Sequence, residues 1–93
     1  MVTYLQMRFT PDGATRGLET LQRALADTRE FDGCVEVRVL VDADDPARIA
    51  LREVWASREQ EAAYQAWRAT PEGAITGLAD VLVEPPAPDH VEG

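Results

Sequence analysis

The residues of this chain best able to do chemistry are Glu53 and Trp55, two apart on one strand face, and Tyr64 and Trp67, three apart on a helix face. A carboxylate set in an apolar wall holds its proton more tightly than one in water, which suits Glu53 to act as a general base or a substrate-orienting acid. The competing reading is a strand acid at a cavity rim paired with an arginine, because glutamate is rarely buried alone. Trp55, Tyr64 and Trp67 would frame a concavity between sheet and helices in which a flat phenolic or polycyclic ligand stacks. Equally, three large rings are what a 93-residue domain needs for its core.

The elements that must position these residues are legible from periodicity. Val35, Val37, Val39 and Val41 alternate with Cys34, Glu36, Arg38 and Leu40, and Ile49, Leu51, Glu53 and Trp55 alternate with Ala50, Arg52 and Val54. Both have the two-residue period of a strand with unlike faces. With a turn at Asp42 to Ala47, Val41 faces Ile49, Val39 faces Leu51, Val37 faces Glu53 and Val35 faces Trp55, each pair sharing a side of the sheet. Val2 to Phe9 alternates in the same way and stops at Pro11-Asp12-Gly13, a turn sequence. Leu18, Leu21 and Leu25 then mark an amphipathic helix over 14–30, with Gly33 suited to a left-handed position after it.

Ser57 with Gln60 three residues on is a capping signature, so a second helix starts there, with Gln60, Ala63, Tyr64 and Trp67 on one face and Glu61 and Arg68 elsewhere. Thr70-Pro71 opens a third helix over 71–83, carried by Ala74, Ile75, Leu78, Val81 and Leu82. The alternative is a closing strand at Val81 to Glu84. Pro85-Pro86-Ala87-Pro88 continues neither element, and Asp89 to Gly93 is a short strand or tail. The expectation is one domain over 1–84, with 85–93 a Pro-rich tail or short closing strand. An α+β sheet with helices on one face follows. Leu5, Met7, Phe9, the valines, Ile49, Leu51 and Trp55 should meet the helices. Val2, Tyr4, Gln6, Arg8, Glu36, Arg38, Arg52 and Val54 should lie on the outer side.

Gly33-Cys34 before an alternating strand, the Asp-rich turn with Pro46, and the run Arg52-Glu53-Val54-Trp55-Ala56-Ser57 resemble the antibiotic biosynthesis monooxygenase (ABM) family. The likeness covers roughly residues 2–83 and is strongest over 33–57. It implies a ferredoxin-like sandwich that dimerises through its sheet, in a family holding cofactor-free quinone-forming oxygenases and haem-degrading enzymes. In the haem-degrading branch, the resemblance implies Asn where this chain has Met7 and an iron-binding His on a helix. This chain has no Asn, and its one histidine, His90, falls in the Pro-rich tail. Tyr64 is the polar donor left near the pocket.

Composition narrows the classes further. Seventeen acids against nine arginines, with no lysine, give a net charge of −8. That argues against nucleic acid and anionic membrane partners, which need a basic face. Cys34 is alone, so no intrachain disulfide forms and a cytoplasmic location is expected. No apolar run approaches the roughly 18 residues of a spanning helix. Asp42, Asp44 and Asp45 around Pro46 lack the spaced ligands, central Gly and closing Glu of a calcium loop, and one Cys with one distant His makes no zinc site. No Gly-rich phosphate loop or nucleophile–His–acid set is present. No metal or cofactor is therefore expected.

Two functional classes emerge. One is a small cofactor-independent oxygenase acting on an aromatic, phenol-like metabolite. Its catalytic residues would be Glu53, Trp55 and Tyr64, and Leu5, Met7, Val37 and Trp67 would bind substrate and keep the site dry. The other is a non-catalytic small-molecule binder or dimerisation domain of the same fold.

Overall fold

The computed structural model describes residues 1–91, with side chains described through residue 86. The order is β1 (Val2–Arg8), a 3₁₀ turn (Pro11–Gly13), α1 (Ala14–Glu30), β2 (Cys34–Val41), β3 (Arg48–Trp55), α2 (Arg58–Arg68), a second 3₁₀ turn (Ala79–Val81) and β4 (Ala87–Val91). All pairings are antiparallel in a four-stranded sheet of order β2-β3-β1-β4. This is the α+β, ferredoxin-like arrangement, with α1 and α2 over the inner face. No helix among the described residues is long and apolar enough to cross a membrane.

Register divides the inner face into rows. Val37, Glu53 and Thr3 form one; Val39, Leu51 and Leu5 the next; Val41, Ile49 and Met7 the third. Met7, Phe9, Val37, Ile49 and Leu51 meet Leu21 and Leu25 of α1, and Leu78 and Val81 close the end of this core. The acidic turn is built by Asp42, whose Oδ1 accepts from the amides of Asp44 (2.8 Å) and Asp45 (3.1 Å). Such side-chain bonds to the local backbone are what make Asp a turn former.

Two expectations are corrected and a third is narrowed. A β-bulge between Cys34 and Glu36 puts Cys34, not Val35, opposite Trp55. Val35 is turned out to solvent, 65% exposed. A bulge inserts one unpaired residue and so reverses the alternation on one side of it. Secondly, no helix spans 71–83. Gly73 and Gly77 fall inside it, each costing about 1 kcal/mol relative to Ala in a helix, and Gly77 adopts φ +87°. The helical spacing of Leu78 and Val81 instead anchors a loop to the core. Its Val83 amide donates to the Arg8 carbonyl (2.8 Å), leaving a single bridge from Phe9 to Leu82 where a closing strand was the alternative.

Thirdly, a strand lies within 85–93, where either a Pro-rich tail or a short closing strand was expected. Ala87–Val91 pairs with β1, putting Pro88 opposite Leu5 and His90 opposite Thr3. β4 is an edge strand, the place where a sheet tolerates proline. The remainder of the expected tail, residues 92–93, lies outside the described residues.

Helix ends follow the sequence signals in part. Ser57 Oγ accepts from the Gln60 amide (3.2 Å). The Gln60 side chain, however, reaches Asp32 Oδ2 (3.2 Å) instead of closing the reciprocal half of a capping box. Gly33 makes this approach possible. It sits at φ +93°, and a Cβ there would lie 2.5 Å from side-chain atoms of Gln60. Gly33→Ala should therefore cost about 1–2 kcal/mol through backbone conformation alone. In a thermal melt, that is a drop of roughly 4–8 °C for each kcal/mol in a domain of this size. An unchanged midpoint would show that the turn relaxes freely.

Candidate functional site

Strand alternation turns Ile49, Leu51, Glu53 and Trp55 inward together, and the last two form the centre of the site. Glu53 is 2% exposed and Trp55 is 1% exposed. The indole Nε1 of Trp55 donates to Glu53 Oε1 at 3.1 Å. Among the described residues no arginine lies in ion-pair reach of Glu53. The two close ion pairs, Arg38 and Arg52 with Glu36, belong to the outer face. Burial pushes the Glu53 pKa above the ordinary carboxylate range. The Trp55 hydrogen bond opposes that rise, the nearby Glu61 carboxylate adds to it, and Arg68 opposes it. The paired rim acid is thus not what forms; Glu53 is a desolvated carboxylate with one indole donor.

Helix α2 supplies the opposite wall. Glu61, Tyr64 and Arg68 follow one another at spacings of three and four, so they share a face. This corrects the expected face, since Glu61 is buried and Ala63 is exposed. The Tyr64 hydroxyl lies 2.7 Å from Thr28 Oγ1 and accepts from Arg68 Nε at 2.7 Å. Arg68 Nη2 donates to the Ala24 carbonyl (2.9 Å) and to Thr28 Oγ1 (2.8 Å), and its Nη1 donates to the Gly73 carbonyl (3.0 Å). Its guanidinium also covers the Tyr64 and Trp67 rings, 5.1 and 4.7 Å from their centroids. Burial raises the Tyr64 pKa, against the hydrogen bonds of Thr28 and Arg68. The phenol is held as a structural link between α1 and α2.

The rings converge as expected and gain a fourth. Trp55 and Tyr64 are 4.9 Å apart between centroids, and Phe31 contacts Trp55, Tyr64 and Trp67 at 6.3, 5.2 and 5.6 Å. Phe31 and Glu61 were missed in the sequence. Phe31 reads there only as a helix end, yet its extended backbone after α1 carries it to the cluster. Glu61 was detectable by its position one turn before Tyr64.

Of the expected substrate-binding residues, Val37 lies opposite Glu53 and Trp67 joins the rings. Leu5 is one row away. Met7 is four residues along β1 from the Glu53 row, about 13 Å at the usual strand rise, and belongs to the main core. A basin of about 630 Å³ lies at the other end of the sheet, lined mainly by Gln6, Arg8, Leu40, Arg48, Ala50 and Pro85. A second concavity of about 400 Å³ is lined by Glu19, Gln22 and Arg23 of α1. Neither is lined by Glu53 or Trp55.

The sequence profile of the antibiotic biosynthesis monooxygenase family matches residues 1–73, which include the whole Glu53–Trp55–Tyr64 site. The chain belongs to that family. Solved structures agree in fold. A candidate antibiotic biosynthesis monooxygenase from Nitrosomonas europaea is 23% identical, with a TM-score of 0.85 over 99% of this chain and 96% of its own. A Mycobacterium tuberculosis protein is 21% identical, with a TM-score of 0.77 over 95% of this chain and 88% of its own. A further candidate monooxygenase, from Deinococcus radiodurans, is 18% identical with a TM-score of 0.78, covering 99% of this chain and 92% of its own. No curated protein sequence matches the chain. At these identities the ABM-type neighbours carry the architecture and not the substrate.

The isolation of Glu53 has a measurable consequence. Its folded-state pKa is raised, so the folded chain holds this proton more tightly than the unfolded chain. The stabilisation is complete below the ordinary glutamate value and is lost as pH rises toward the folded value. Glu53→Gln keeps an acceptor for the indole and removes the charge. Denaturant melts should show the variant at least as stable as wild type at pH 7, with the gap closing below the ordinary carboxylate range. A variant less stable at pH 7 would mean that the charge is structurally paired.

Proposed function

We propose that this ABM-family chain is a cofactor-independent monooxygenase acting on a flat phenolic metabolite, with Glu53 as proton acceptor. The observation that carries the reading is the buried Glu53 carboxylate, in ion-pair reach of no arginine among the described residues and bonded to Trp55 at the edge of an aromatic cluster. Such a group has little cost to bear in becoming protonated, which is what a general base must do. Phe31 and Trp67 are half-buried and close the cluster on its solvent side. A planar ring enters by displacing Phe31 and stacks in its place against Tyr64 and Trp67.

The reaction needs little else from the protein. Glu53 takes the phenolic proton, and the phenolate passes one electron to dioxygen. The resulting superoxide and phenoxyl radicals join at the ring carbon para to the oxygen. Glu53 returns its proton to the outer peroxide oxygen. The hydrogen on the para carbon then leaves as a proton while the O–O bond breaks and hydroxide departs, together giving water. One phenol and one dioxygen become one quinone and one water. Trp55 holds the carboxylate, while Val37 and Leu5 keep water away.

A second reading, a non-catalytic binder or dimerisation domain, is favoured by the absence of Glu53 and Trp55 from the linings of both concavities. Oxygen uptake separates the two. Wild-type protein, dialysed against chelator and supplied with a panel of naphthols and hydroxyanthrones, should consume oxygen and form quinone in equal amounts. Glu53→Gln should lower that rate at least a hundredfold, within the usual contribution of a general base. No uptake above the uncatalysed rate with any member of the panel would leave the binding reading.

The proposal extends to assembly through the outer sheet face in a homodimer. Val2 and Val54 are opposed there and, with Tyr4, are only partly exposed. Leu40, 44% exposed, adds apolar surface. A chain this small gains from covering such a face. Sedimentation should give a dimer at micromolar concentration. Val54→Asp, which sets a second acid opposite Glu36, should give a folded monomer. A monomeric wild type would remove this interface.

A further inference from the structure

We infer that Thr3 supplies the second hydrogen bond to the ligand hydroxyl, acting with Glu53 as a two-point clamp; this rests on the phenol reading above. Thr3 is 1% exposed, and its Oγ1 is a buried polar atom with no hydrogen-bond partner among the described residues. Such atoms are rare because an unmet hydroxyl loses its water without compensation. A valine would fill the same space at no such cost. Among the described residues the hydroxyl is therefore a donor and acceptor without an occupant.

Its position says which occupant. Thr3 is directly opposite Glu53 in the β1–β3 ladder, and opposed residues in antiparallel strands share a face. The row continues to the edge strand, where the register position opposite Thr3 belongs to His90, the chain's only histidine. A carboxylate accepts hydrogen bonds and a threonine hydroxyl can donate one. A ligand O–H between them donates to Glu53 and accepts from Thr3. Once its proton has moved, the phenolate oxygen keeps the Thr3 bond, which is then charge-assisted and stronger. The clamp favours phenols and enols over ethers, which have no proton to give.

The probe is 4-nitrophenol, whose absorption separates phenol from phenolate. Thr3→Val should bind it roughly ten- to a hundredfold more weakly, the range of a hydrogen bond to a charged group. It should also bind a smaller ionised fraction, and Thr3→Ser should restore both. The melting temperature of Thr3→Val should equal or exceed that of wild type, since an unmet buried hydroxyl has been removed. A lower melting temperature would show a structural hydroxyl and overturn the inference. Unchanged affinity in Thr3→Val alongside weakened binding in Glu53→Gln would overturn the clamp and leave the base in place. A wild type that binds no probe, or unchanged binding in both variants, would overturn the clamp together with the phenol reading.

Discussion

The site depends first on the guanidinium of Arg68. One planar group ties the Ala24 carbonyl and Thr28 hydroxyl of α1, the Tyr64 hydroxyl of α2 and the Gly73 carbonyl of the following loop. The fixed fork of Arg suits it to several acceptors at once, where the point charge of Lys would not reach them all. Three segments that share no strand ladder are thereby held at fixed separations. The rings of Tyr64 and Trp67 are pinned beneath the same cation, and Phe31 and Trp55 pack against them.

Arg68 bonds to neutral oxygens, and this has an electrostatic effect on β3. A cation committed to carbonyls and hydroxyls neutralises no acid directly. Its attraction lowers the Glu53 pKa less than burial raises it, and Glu61 adds repulsion from α2. Burying a carboxylate without a counter-ion is unfavourable. The fold tolerates it because, Thr3 apart, the inner face around it is apolar, with Leu51 of that face and Leu21 and Leu25 of α1 each almost fully buried.

Much of this was legible in the sequence, and the gaps have physical causes. Strand alternation announced the inward set Ile49, Leu51, Glu53 and Trp55, and the leucines of α1 were plain from their spacing. The bulge at Val35 was not, because one inserted residue changes pairing without changing composition. The segment 71–83 carries apolar residues at helical intervals, but anchoring a loop needs similar spacing, and its two glycines decided the outcome. For 85–93 the prolines leave a tail and a short closing strand both open, because prolines break central strands, and the edge position of β4 is what admits them. Thr3 has no sequence signature. A hydroxyl buried and unmet among the described residues becomes visible only in the folded arrangement of its neighbours.

The two flanks of the sheet bear on how the protein avoids clumping. An open strand edge offers a row of backbone donors and acceptors to any passing chain. Here one flank carries Pro88, which has no amide hydrogen to offer, and the other carries the bulge followed by Glu36 and Arg38. Bulges, prolines and charges are the devices that blunt such edges. Both flanks therefore carry features that work against the addition of a further strand.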